Sequence, residues 1–215
     1  MIYSFSLTGA NTPAIKEFDI EKNTAITSGT VVYIDQNGVV NKDGNGSVLG
    51  VAAEDHSGEK DILNSRANAD KIRVDITLGG VYKMPCPIFE ASENSDATSF
   101  ACESTGIDNS CKGYLVLVSK NSDSTNTDYC GKRRKITAVA VSGDKAVFAL
   151  EEAGAACKGD KYAFVPATGF VGSIDESAKD FCASAASGND AALTVVSCNT
   201  ETLTIEAVLG SKLFN

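Results

Sequence analysis

The chain has one histidine, His56, in the run Glu54-Asp55-His56-Ser57, which combines an imidazole, two carboxylates and a hydroxyl. Those groups could build a general-base or nucleophilic site. A triad, however, draws its members from separated segments, and neighbours on one strand or loop rarely converge. His56 therefore reads as a solvated loop histidine. Glu54-Asp55 and Glu151-Glu152 have the residue types for paired-carboxylate acid–base work, yet adjacent acids usually sit on a solvated surface or at a strand end. Asn41-x-Asp43-x-Asn45-Gly46-Ser47 opens like a calcium-binding loop. Its twelfth position is Ala52 instead of a bidentate glutamate, so an Asn/Asp/Gly turn is expected. Lys132-Arg133-Arg134-Lys135 is the only dense basic run. It reads as a solvated strand entrance, although it could meet a phosphate or a carboxylate surface. The phosphate-cradling glycine motifs, the zinc-protease helix motif and the nucleophile-elbow motif are all missing. The residues thus predict no catalytic, cofactor-binding or metal-ligating set, and a protein that is not an enzyme.

Cysteine is unevenly placed. Cys86 is the only one in the first 90 residues, and Cys102, Cys111, Cys130, Cys157, Cys182 and Cys198 follow. Six thiols allow 15 pairings, so a disulfide framework is possible but its connectivity is open. The plainer reading is a set of small buried apolar residues in a reducing compartment. There is no C-x-x-C, which argues against zinc.

The elements that would position these residues read as strands. Thr30 to Asp35 is β-branched and ends in Asp35-Gln36-Asn37-Gly38, a strong tight-turn signal because Asn and Gly tolerate positive φ. Val39-Val40 returns. A second turn at Asp43 to Gly46 leads into Val48 to Ala53, where Gly50 predicts a bulge or a close backbone approach. Residues 54–70 are polar and predict a surface loop or a short irregular helix. Lys71 to Leu78 alternates, with Ile72, Val74 and Ile76 facing one way and Arg73, Asp75 and Thr77 the other. Met84-Pro85-Cys86-Pro87 should interrupt pairing and mark a boundary. Beyond it, Tyr114–Val118, a hairpin of Ile136–Val141 and Ala146–Leu150 turning at Ser142-Gly143-Asp144, Tyr162–Val165, Leu193–Val196 and Leu203–Leu209 read as strands. The capping-box spacing Ser173-x-x-Glu176 predicts one short helix over 174–186. Residues 1–24 could be a first strand or an arm reaching to a neighbouring subunit. The expectation is an all-β, mainly antiparallel protein. Residues 1–90 would form a small β-barrel or β-sandwich, and residues 91–215 a second β-rich domain with that one helix and six cysteines.

Composition bounds the partners. Of 215 residues, 43% are hydrophobic, enough for a core, and glycine is frequent while tryptophan is absent. A formal net charge of −9 repels phosphate backbones and anionic bilayers, so neither nucleic acid nor membrane is expected as a partner. No segment approaches the roughly 20 apolar residues of a membrane span. The opening residues Met1 to Ala10 lack the basic and long apolar regions of a signal peptide, so synthesis in the cytoplasm is expected.

Gly29-Thr-Val-Val-Tyr-Ile-Asp35, Asn37-Gly38-Val39, Val48-Leu-Gly-Val-Ala-Ala-Glu-Asp55, Gly58, and Ile72 to Val81-Tyr82 with Pro85 form a pattern over roughly residues 25–87. It resembles the capsid decoration (cement) and head-fibre base modules of tailed bacteriophages. The cysteine content departs from that family, and residues 91–215 resemble nothing nameable. The resemblance implies a structural virion protein, made in the host cytoplasm. It would dock as a homo-oligomer, a dimer or trimer, on the major capsid protein at the outer surface of the capsid. No cofactor is implied. The competing reading is a β-rich host- or glycan-binding module on a virion or cell surface, for which the low aromatic content of 7% is a poor stacking platform.

Overall fold

A computed structural model describes residues 1–6, 12–21, 23–58, 71–77, 79–95, 98–152, 154, 156–174, 180–184 and 191–210. Within them the protein is all-β, mostly antiparallel, and no helix occurs. Three sheets account for the strands.

The first is a small closed barrel built from β2 (Ile15–Ile20), β3 (Val31–Ile34), β4 (Val39–Asn41), β5 (Ser47–Ala52) and β6 (Lys71–Asp75), in the order β2-β4-β3-β5-β6. Only β2 and β4 run parallel. The Asp35-to-Gly38 turn joins β3 to β4 as expected. The Asp35 carboxylate accepts the N–H groups of Asn37 and Val39 at 2.9 and 2.8 Å, and Gly38 takes a φ of 81°. Ile20, Ile26, Val32, Val40, Leu49, Ala52, Ile72 and Val74 fill the interior. The predicted irregularity at Gly50 is present. Val32 faces Gly50 while Tyr33 faces Val48, so one residue of β5 is extra. That bulge lets Val48 and Val51 point outward while Leu49 and Ala52 point inward. A side chain at Gly50 would fall on the Asp75 carbonyl oxygen.

β3 and β5 are therefore buried on both faces. Their outward residues Val31, Tyr33, Val48 and Val51 join the core of the rest of the molecule. Asp75, expected on the solvent side with Arg73 and Thr77, is buried instead because the Tyr82 hydroxyl donates to it at 3.1 Å.

The second sheet runs β1-β7-β17-β16-β14-β15, from β1 (Ile2–Ser6) and β7 (Gly80–Pro85) to β17 (Thr204–Leu209), β16 (Ala192–Asn199), β14 (Val171–Ile174) and β15 (Phe181–Cys182). It joins segments that the sequence divides at residue 90, because β7 pairs directly with β17. Pro85, expected to interrupt pairing, lies opposite Thr204 inside β7. β1 reaches only to Lys83, so beyond that point β7 has one neighbour and proline's missing N–H can face outward.

The helix expected over 174–186 is not formed by its described residues. Ile174 pairs with Phe181, and Ser173 with Cys182; residues 175–179, 185 and 186 lie outside the described set. Burial overrides the capping-box signal here. Phe181 and Ala183 alternate into the core, with Phe181 packed 6.1 Å from Phe170.

The third sheet runs β8-β13-β10-β11-β12-β9: β8 (Ile88–Glu90), β13 (Lys161–Pro166), β10 (Gly113–Ser119), β11 (Arg133–Ser142), β12 (Lys145–Leu150) and β9 (Ser99–Glu103). The hairpin between β11 and β12 has the predicted turn, with Ser142 opposite Lys145. The sheet curls until its ends nearly meet, and Ser92 N–H donates to Ala101 O at 2.9 Å. Phe89, Phe100, Phe148, Tyr162 and Phe164 pack together, with the Phe100 and Tyr162 rings 4.8 Å apart. Phe170 joins this core, its ring 5.8 Å from that of Phe164.

Candidate functional site

The residues that the sequence puts forward for chemistry do not converge. His56 is buried, not solvated. It bridges to Ile26, and its Nδ1 lies 3.0 Å from Thr24 O and 3.2 Å from the Gly58 N–H. Its neighbours hold backbone. Asp55 accepts the Ser28 N–H at 2.7 Å, and Glu54 accepts the Arg73 N–H at 3.0 Å. The calcium-like loop is closed by its own side chain. Asn41 Oδ1 accepts the N–H groups of Asp43 and Asn45, and Asn41 Nδ2 donates to Asn45 O at 2.8 Å. Among the described residues no cluster of three or more His, Cys, Asp or Glu side chains is arranged to hold a metal ion.

Three of the four residues of the basic run, Lys132, Arg134 and Lys135, are paired with acids where they stand. Lys132 pairs with Glu152 at 2.7 Å and Lys135 with Glu151 at 3.2 Å. The Lys132 ammonium lowers the Glu152 carboxyl pKa, mainly through their hydrogen bond. Arg134 departs from the expected solvated entrance. Its side chain is buried, pairs with Asp128 and donates to Gly154 O. A Cβ at Gly154 would collide with that guanidinium.

Beside Arg134 lies a polar cluster that sequence reading missed. Asp160 is fully buried. It accepts the Asn121 N–H at 3.0 Å, the Cys157 N–H at 3.1 Å, the Ser124 hydroxyl at 3.0 Å and the Asn126 amide at 3.1 Å. Asn126 Nδ2 also donates to the Tyr162 hydroxyl at 3.0 Å. Burial alone would push the Asp160 carboxyl up, but these donors outweigh it and hold it below its ordinary value. Asp160 thus anchors the 121–128 segment through Asn121, Ser124 and Asn126; Asn126 is buried, Ser124 and Asp128 are half-buried, and the other side chains of the segment face solvent. The only sequence hint was the density of Asn, Ser, Thr and Asp there.

All seven cysteines are free thiols. Burial pushes Cys86 and Cys102 up to about 12, and Cys111 and Cys198 up to about 11, so these four are inert packing residues. Cys130 is exposed.

Two clefts remain. One, of about 610 Å³, lies where β8 and β9 splay apart, between Phe89, Glu90, Cys102, Glu103 and Lys158. The other, of about 490 Å³, lies on the outer face of the second sheet, over Lys83, Ser197, Asn199, Thr204 and Glu206. No protein-family model, curated protein or solved structure matches this chain.

Proposed function

We propose that this chain is a structural virion component of a tailed phage. It docks on the outer surface of the capsid as a dimer or trimer, with the major capsid protein as its partner, and stabilises or decorates the shell. One observation carries the reading. The ionisable groups with the best chemical credentials (His56, Glu54, Asp55, Arg134 and Asp160) are each tied to backbone or to a structural partner. That is how a scaffold uses charge. The repeated Gly-Val pattern of residues 25–87 supplies the barrel strands β3 to β6, together with β7. A rigid barrel suits a docking role, since many copies gripping a repeating lattice gain avidity from individually weak contacts. No step of such work requires bond making.

The test is reconstitution. Particles made without the chain should lose a surface density and should rupture at lower temperature than complete ones. Adding the purified chain should restore both properties and saturate at a fixed number of copies per shell. Shells with unchanged surface and heat resistance, and no saturable uptake, would overturn the reading.

A further inference from the structure

The cleft on the outer face of the second sheet is organised around Glu206. In the sheet register Lys83 of β7, Glu206 of β17 and Ser197 of β16 stand directly across from one another, so their side chains share one face. Thr204 and Asn199 form the next outward row. Two bulges create this arrangement. Val196 is an extra residue between Val195 and Ser197, and it turns Ser197 and Asn199 out of the core-facing series of Leu193 and Val195. Ser4 is the extra residue of a bulge in β1, between Tyr3 and Phe5. Bulges re-aim side chains and concentrate at functional sites. Both serines aimed in this way donate to the same carboxylate: Ser4 Oγ to Glu206 Oε1 at 3.1 Å, and Ser197 Oγ to Glu206 Oε2 at 2.7 Å.

The hydrogen-bonding inventory defines what fits. Each Glu206 oxygen keeps accepting capacity, and the two serine oxygens, having given up their protons, can only accept further. Asn199 Oδ1 is occupied by the N–H groups of Glu201 and Thr202, both at 2.9 Å, which leaves its NH₂ to donate. Lys83 stands beside Glu206, yet no ion pair joins them among the described residues. The cleft therefore offers a fixed carboxylate next to an uncommitted ammonium, within the size range of small-molecule sites.

We propose that this cleft binds a neutral saccharide through a pair of adjacent hydroxyls. One hydroxyl donates to Glu206 while its neighbour accepts from Lys83, with Asn199 Nδ2 donating to a further ring substituent. A hydroxyl both donates and accepts, so a vicinal diol satisfies this pairing where a simple anion or cation meets one like charge. Glu201 and Glu206 outnumber Lys83 on the cleft wall, which selects neutral over acidic sugars. This inference does not depend on the capsid reading.

The test uses the full chain with maltotriose, chitotriose, lactose and sialyllactose as probes, read by ligand-observed saturation-transfer NMR and calorimetric titration. Saturable binding of at least one neutral probe is expected, with sialyllactose weaker. Glu206→Gln and Lys83→Met should each weaken it by about tenfold or more, the cost of losing a charge-assisted hydrogen bond. Lys145→Met, whose side chain pairs with Glu93 on another sheet, should leave it unchanged. Matching thermal melts establish that each variant is folded. Absence of binding to every neutral probe, or binding that both cleft variants retain, would overturn the proposal.

Discussion

The barrel and the aromatic core beside it solve the problem of enclosure differently. The barrel is aliphatic inside, with β-branched Ile20, Val32, Ile72 and Val74 in contact, and its outer charges are ordinary cross-strand pairs such as Glu17 with Arg73 at 3.5 Å and Asp19 with Lys71 at 4.0 Å. The third sheet packs rings inside, and beside it Asp160 and Arg134 are buried together with Asn126 of the 121–128 segment. A small closed sheet satisfies most of its strand backbone by closure, with side chains such as Asp35, Asn41 and Glu54 taking N–H groups at its turns and edges. A curled sheet crossed by a long connection must satisfy that connection too, and Asp160 does so. Disruption should therefore be electrostatic in one region and steric in the other.

Removing the buried carboxylate should have the largest effect. Asp160→Ala leaves four donors without an acceptor, and a loss of roughly 3–5 kcal/mol is expected by chemical denaturation. Asp160→Asn should cost less, since one amide oxygen still accepts. The pH dependence follows from the lowered folded pKa. The stabilisation is complete above the unfolded carboxyl value, near 4, and is lost as pH falls below it toward the folded value. Melting temperature followed from pH 6 to pH 2 should fall more steeply for the native chain than for Asp160→Asn.

The barrel should break sterically. Gly50→Ala drives a methyl into the Asp75 carbonyl oxygen, and a loss of about 1–3 kcal/mol is expected. Equal tolerance of alanine at Gly50 and at Gly210, which has no positive φ and whose Cβ would come no closer than 3.3 Å to Ala192 O, would remove the bulge from the account. The next contrast is one of rate. Iodoacetamide applied to the folded protein should label exposed Cys130 first, and Cys86, Cys102 and Cys111 only on unfolding. The smallest effect belongs to the barrel's surface pairs. Arg73→Ala should change stability by no more than about 1 kcal/mol, and by less in high salt.

The same contrast explains what sequence reading could see. Barrel strands declare themselves because period-2 alternation, a tight Asn-Gly turn and a lone strand glycine are local signals, and each appears at its expected place in Val31–Ile34, Gly38 and Gly50. Strand β9 and the pair β14–β15 were missed because their partners are remote or their cue is tertiary. Phe181 is held by Phe170, not by its own neighbours in sequence. Asp160 and Arg134 were illegible for the same reason. A charged residue looks solvated until the segment that covers it is known. The saccharide cleft depends on two bulges, and nothing in the runs around Ser4 and Val196 announces an extra residue.

The proposed role has the molecule grip an assembled shell through its barrel. Cryo-microscopy of complete particles tests it most directly. The account predicts ordered, symmetrically repeated copies with strands β2 to β6 against the capsid surface. Particles carrying no copies of the chain, or copies that meet the shell only through residues 99–166, would contradict it.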